Sequence, residues 1–97
     1  MTSFTKNVYD ALRKIPRGKV LTYKDLAKRI GHPLAYRAVG NALNKNPFAP
    51  QVPCHRVVAS DGSLGGYANG LKMKVELLKK EGVLVQNNRV DLKKYRA

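Results

Sequence analysis

Glycine and proline cut this chain into pieces too short for anything but brief helices and small strands. Pro16-Arg17-Gly18 and Gly31-His32-Pro33 are stops. The segment Asn46-Pro47-Phe48-Ala49-Pro50-Gln51-Val52-Pro53 cannot be helical, because each proline removes an N–H and crowds the preceding turn. At 97 residues, one compact domain over 1–97 is expected, with no room for a second full one.

The pieces between these stops have readable periods. Over residues 4–15, Phe4, Val8, Ala11, Leu12 and Ile15 recur at helical spacing, with Ser3 as the expected cap. Val20-Leu21 reads as a short extended link. Thr22 is placed to cap a second helix, with Asp25 as the acid of a capping box and Leu26, Ala27 and Ile30 inward. A third helix is expected over about 34–44, with Val39 and Leu43 facing the core. Two short helices around Gly31-His32-Pro33-Leu34 have the shape of a helix-turn-helix whose outer face carries Tyr36, Arg37, Gly40, Asn41 and Asn44. A three-helix core with no role in DNA binding fits the same pattern.

Downstream, Val57-Val58 reads as a strand and Asp61-Gly62 as a turn to Ser63-Leu64, which together predict a hairpin. Gly65-Gly66-Tyr67-Ala68-Asn69-Gly70 is a loop. A last amphipathic helix is expected over 71–80, with Leu71, Val75 and Leu78 inward and Gly82 as its stop. Val83-Leu84-Val85, Asn87-Asn88 and Val90-Asp91-Leu92 read as a closing hairpin. Helices followed by a small hairpin describe an α+β winged helix-turn-helix.

Charge narrows the partner. Nineteen Lys and Arg against six Asp and Glu give a formal net charge of +13, spread from Lys6 to Arg96 with no detachable tail. A folded domain with that excess is drawn to a polyanion, of which nucleic acid is the commonest. Solubility or an anionic membrane surface would account for the same charge. A single cysteine excludes an internal disulfide, and no apolar run approaches a membrane span or a signal peptide. The expected location is cytoplasmic and nucleoid-associated, or nuclear in a eukaryote.

The chemistry centres on Pro53-Cys54-His55-Arg56. A lone cysteine is usually a small buried hydrophobe. Beside His55 and Arg56 it can instead be a thiol of lowered pKa. Neighbours in an extended segment point apart, so cooperation between Cys54 and His55 needs a turn or a bridging water.

These residues resemble the O6-alkylguanine-DNA alkyltransferases. The resemblance is carried by Val52-Pro53-Cys54-His55-Arg56-Val57-Val58, by Gly18-Lys19-Val20-Leu21-Thr22-Tyr23-Lys24-Asp25-Leu26-Ala27, and by Arg37-Ala38-Val39-Gly40-Asn41-Ala42-Leu43-Asn44-Lys45-Asn46-Pro47. Gly62-Ser63-Leu64-Gly65-Gly66-Tyr67 and Leu77-Leu78-Lys79-Lys80-Glu81-Gly82 complete it, in order and at family spacing. It covers about residues 4–84 and corresponds to the C-terminal, DNA-binding and reactive domain of longer members, whose N-terminal domain is missing here.

The resemblance implies a set of roles. Cys54 is the nucleophile, His55 takes its proton through a bound water, and Glu81 orients the imidazole. Asn46 is the hinge that ties the recognition helix to the reactive loop. Arg37 is the finger that fills the space left by a flipped guanine. Gly40, Asn41 and Ala42 allow close approach to the minor groove. Tyr23 presses on the phosphate of the flipped nucleotide and contacts the base. Tyr67 lies near the base and favours departure of guanine, the Ala68 amide binds O6, and the Val57 carbonyl accepts from the exocyclic amine. Asn69 stands where many members have a smaller residue, and it is expected to narrow the pocket.

The implied reaction is a single, stoichiometric transfer of an alkyl group from O6-alkylguanine in double-stranded DNA to cysteine. It needs no cofactor and no metal, and a monomer is expected. A thiolate cannot reach the O6 carbon in a stacked duplex, so the base must flip out, and phosphate contacts that offset this make binding steeply salt-dependent. Three rivals stand beside this reading. Alkyltransferase-like lesion sensors share the blocks but lack the cysteine. A basic winged-helix regulator has no use for His55, Glu81 and Tyr67 together, and a thiol hydrolase would turn over.

Overall fold

The computed structural model describes residues 2–67 and 70–97. Helix α1 (Ser3–Arg13) begins where the Thr2 side chain accepts from the Thr5 N–H, so Thr2 and not Ser3 is the cap. The helix stops at Arg13, two residues short of its apolar pattern, yet Ile15 is still buried. Strand β1 (Leu21–Thr22) runs directly into helix α2 (Tyr23–Arg29). Thr22 and Asp25 form the expected reciprocal capping box, a device that stabilises a helix start by about 1 kcal/mol.

Helix α3 (Tyr36–Asn44) starts later than the sequence pattern predicts. The Ala35 N–H bonds back to the His32 carbonyl, so residues 32–35 close a turn first, and Leu34 is left 89% exposed. Helices α2 and α3 pack on each other and on α1 as the helix-turn-helix.

Val57-Val58 does form a strand, but its partner is not Ser63-Leu64. Strand β2 (Val57–Val58) lies parallel to β1, with Leu21 opposite Val57 and Thr22 opposite Val58. Asp61-Gly62 is a turn as expected, but it sends the chain to a different partner. The Leu64 N–H donates to the Asn88 carbonyl, the Val90 N–H donates to the Gly62 carbonyl, and Ser63 bridges Arg89. Residues 62–64 thereby extend the hairpin of β3 (Val85–Gln86) and β4 (Arg89–Val90). Asn87 and Asn88 both have positive φ, 52° and 57°, the left-handed pair that a two-residue hairpin turn demands.

Helix α4 (Leu71–Lys80) has the predicted bounds and buries Leu78, but Leu71 is 45% exposed. Gly82, at φ 84°, ends it in the left-handed region where a side chain would be strained. A short helix α5 (Leu92–Tyr95), not foreseen from the sequence, returns the chain to β1. There the Val20 N–H donates to the Tyr95 carbonyl, and the Ala97 N–H donates to the Val20 carbonyl.

Successive strand residues face opposite ways, and that alternation divides the core in two. Leu21 and Val57 join the helix-turn-helix core with Leu12, Leu26, Val39 and Leu43. Val20 and Val58 join the wing core with Leu64, Leu78, Val83 and Val90. The β1–β2 pair is the seam, and the turn that carries Cys54 leads straight into it.

Candidate active site

Cys54, His55 and Arg56 form a single 3-10 turn between the proline-rich segment and β2. At three residues per turn, successive side chains lie about 120° apart, so Cys54 and His55 no longer point to opposite faces as they would in an extended segment. Cys54 packs into the helix-turn-helix core and is 4% exposed. The segment before it is pinned by Asn46, itself buried, whose Nδ2 donates to the Val52 carbonyl at 2.8 Å. Asn46 Oδ1 accepts from the Phe48 N–H at 2.9 Å, so one side chain at the end of α3 holds both ends of the following loop.

His55 is 1% exposed, and its Nε2 lies 3.0 Å from Glu81 Oε2. Glu81 follows the last turn of α4, where unpaired carbonyls disfavour an acid. Three donors compensate: Arg56 donates Nε to Oε1 at 2.9 Å and Nη2 to Oε2 at 2.7 Å, and His55 supplies the third. Burial works to raise the Glu81 carboxyl, but hydrogen bonds from Arg56 and His55 outweigh it and hold it below the usual range. As a carboxylate it can only accept, which puts the imidazole proton on Nε2. Burial lowers His55 below 6.5, with Arg56 and Lys74 adding to the effect and Glu81 opposing it. The ring is therefore neutral near pH 7, and its buried Nδ1, a lone pair in this tautomer, has no partner among the described residues.

Lys74 is the residue that the sequence reading missed. It is fully buried at 0% exposure, and its Nζ donates to the carbonyls of Val57 at 2.7 Å, Gly66 at 3.1 Å and Leu64. Three N–H groups meet three carbonyls. The ammonium thus ties the strand after Cys54 to the loop before Tyr67. Burial brings it down from 10.5 to about 8, while the nearby charge of Cys54 pushes it up. The signal was available: Lys74 falls on the same helical stripe as Leu71, Val75 and Leu78. The Val57 carbonyl, expected to accept from substrate, already accepts from Lys74, which leaves one of its two lone pairs.

Tyr23 opens α2 half-buried, and its ring lies against Gly65. A Cβ on Gly65, at φ 68°, would come 2.8 Å from the Tyr23 hydroxyl oxygen, so only glycine permits this approach. Burial raises the Tyr23 hydroxyl, the Gly66 backbone partly offsets this, and the charge of Cys54 adds to the rise. Gly40 faces the same ring from α3. Arg37 and Asn41 are exposed on α3, whereas Ala42 is 7% exposed and packs in the core. Placing Ala42 on the groove-facing side is therefore corrected: it lies one residue past Asn41, about 100° round the helix, and its carbonyl accepts from the buried Tyr9 hydroxyl. Tyr67 is half-buried and packs against the helix-turn-helix core. Ala68 and Asn69 lie outside the described residues.

A family profile described as 6-O-methylguanine DNA methyltransferase, DNA binding domain, matches residues 3–83. The chain belongs to this family. The matched profile is the family's DNA-binding domain, and the C-terminal position expected from the sequence is not borne out. Among the family's curated members, the methylated-DNA–protein-cysteine methyltransferase of Methanosarcina acetivorans is 56% identical over 81 residues, 84% of this chain and 52% of the relative. The chain spans about half the length of the curated relatives it matches. Family structures agree with the fold. Mycobacterium tuberculosis OGT, solved in complex with DNA, superposes with TM-score 0.82 at 46% identity, over 84% of this chain and 50% of that one. S. pombe Atl1, solved with damaged DNA containing O6-carboxymethylguanine, superposes with TM-score 0.90 at 32% identity, over 100% of this chain and 96% of that one.

Proposed function

We propose that this protein repairs DNA by direct reversal, transferring the alkyl group of O6-alkylguanine in double-stranded DNA to Cys54, once per molecule. The observation that carries the reading is the buried His55 ring, bonded to Glu81 through Nε2, with an Nδ1 that has no partner among the described residues, in the same turn as the buried Cys54. Activation of a thiol requires a nucleophile, a base and an orienting acid, the roles read here for Cys54, His55 and Glu81. The thiol proton passes through a water to Nδ1. The thiolate then forms a C–S bond as the C–O6 bond breaks, the electron pair stays on guanine, and guanine takes up a proton. The thioether cannot be hydrolysed, so turnover ends there. No cofactor enters the scheme.

The remaining roles are those that the family resemblance implies. Arg37 projects from α3 to fill the gap left by the flipped base, with Gly40 and Asn41 against the groove. Tyr23 and Tyr67 flank the base, and Asn46 holds the reactive loop in register with α3. Ala68 supplies an amide to O6, and the free lone pair of the Val57 carbonyl accepts from the exocyclic amine. Residues 1–97 act as one domain, as a monomer, wherever DNA is housed. The +13 net charge suits a phosphate backbone.

Incubation with a duplex containing O6-methylguanine, followed by weighing the peptide 46–56, tests the reading. A gain of one methylene on Cys54 is the expected result. Unchanged mass with tight binding would favour a lesion sensor, the reading that whole-length likeness to S. pombe Atl1 keeps open.

The acid side of the reaction is also set. His55 works as a base only when neutral, and burial holds its pKa below 6.5. Single-turnover transfer is therefore expected to stay flat from pH 8 down to about 6.5, then fall about tenfold per unit below the His55 midpoint. A fall that begins above pH 7 would contradict it.

A further inference from the structure

Arg56 follows His55 directly, where it would serve naturally as a cation for Cys54. The fold turns it elsewhere. Its Nε and Nη2 grip the two oxygens of Glu81 at 2.9 Å and 2.7 Å, and its Nη1 donates to the Ile15 carbonyl at 2.8 Å. Oε2 of Glu81 is the oxygen that also faces His55 Nε2 at 3.0 Å. One carboxylate oxygen thus serves the catalytic ring and the clamp together.

That sharing has a chemical consequence. A carboxylate alone beside an imidazole draws it toward imidazolium, which has no lone pair for a thiol proton. A guanidinium fixed on the same carboxylate offsets that pull without removing the acceptor. We propose that Arg56 is a positioning residue for the transfer: its two-point grip on Glu81 keeps His55 neutral, with the proton on Nε2 and the lone pair on Nδ1.

The other charged groups around His55 do not replace it. Lys74, on α4, is committed to the carbonyls of Val57, Leu64 and Gly66. Arg17 and Lys80 line the cleft on which His55 opens, and Arg17 donates to the Lys80 carbonyl at 2.8 Å. Cys54, in the same turn, is the proton donor itself. Among the described residues, Arg56 is the Lys or Arg bonded to Glu81. Its effect on His55 runs in the lowering direction, behind burial and against Glu81.

The catalytic consequence rests on the repair reading, but the protonation state can be measured without DNA. The chain has two histidines, and His32 is exposed, so a 13C-histidine-labelled protein gives one resonance of interest and one internal reference. In Arg56→Gln the His55 midpoint is expected to rise by about one unit, the scale of losing a charged neighbour at hydrogen-bond distance. Arg56→Lys, which keeps the charge but not the fork, should fall between. Transfer by Arg56→Gln should then drop severalfold at pH 6, approach a tenfold loss only below the wild-type midpoint, and recover by pH 8, a midpoint shift and not a uniform loss. An unmoved His55 midpoint in a folded Arg56→Gln protein, or a rate lowered equally at every pH, would overturn the proposal. If Arg56→Gln does not fold, Arg56→Lys decides alone: a midpoint above wild type supports the clamp, and a wild-type midpoint refutes it.

Discussion

Cys54→Ser is expected to lose alkyl transfer by on the order of 10⁴-fold or more, the scale of deleting a nucleophile that works within a unit, while still binding the damaged duplex. The reason is ionisation. A thiol with a reference pKa of about 8.5 gives up its proton to a neutral imidazole, whereas a hydroxyl does not. Nothing in the DNA-facing part of the fold depends on the sulfur. Arg37, Gly40 and Asn41 are carried by α3, which packs through Val39, Ala42 and Leu43. The side chain is 4% exposed and nearly isosteric with Ser, so the variant should fold at a stability cost of about 1 kcal/mol. Gel shift on a duplex containing O6-methylguanine, beside a single-turnover transfer assay, reads both properties. Residual transfer at even a hundredth of the wild-type rate would show that Cys54 is not the acceptor.

The second large effect belongs to Lys74. Replacing a buried charge by an apolar side chain is often neutral, because the cost of desolvating the charge disappears with it. Here the partners are three neutral carbonyls that remain after the ammonium is gone, and Val57 and Leu64 are buried. Each buried acceptor left without a donor costs about 1–3 kcal/mol. The orphaned carbonyls should outweigh the relieved desolvation, so Lys74→Met is expected to lose about 2–3 kcal/mol overall. For a domain of this size that lowers Tm by roughly 10 °C or more. The loop before Tyr67 also loses its tie to the strand after Cys54. A displacement of about 1 Å at a reacting centre costs on the order of 100-fold in rate. Transfer should therefore fall well below what instability alone produces when assayed at 10 °C, where the variant is still folded. A variant with wild-type Tm and wild-type rate would show that the three bonds contribute nothing.

How much of this was legible beforehand depended on the range of the interaction. The capping box at Thr22 and Asp25, the Asn87-Asn88 turn and the bounds of α4 are all set by contacts within a few residues. Such contacts leave their mark on consecutive letters. The Pro53-Cys54-His55-Arg56 segment and Glu81 were also visible as a pattern. The hairpin proposed for 57–64 failed for the complementary reason. Strand pairing is decided by which edge offers unpaired N–H and C=O groups, and here that edge is β1, 36 residues upstream of Val57-Val58. Ala42 failed by one helical position, since a helix turns about 100° per residue and the edge of its buried face is the hardest part to place.

The sequence alone determined a small basic winged helix-turn-helix with a single cysteine, because periodicity, turn chemistry and motif spacing act locally along the chain. Tertiary structure alone decided which charges meet. It sent Arg56 to Glu81 instead of Cys54, gave His55 its tautomer, and buried Lys74 among carbonyls from two separate segments. Those outcomes depend on distances between residues up to 26 positions apart and on how much water the packed core excludes. Burial and geometry, which no local pattern encodes, set the strength and even the direction of an electrostatic interaction.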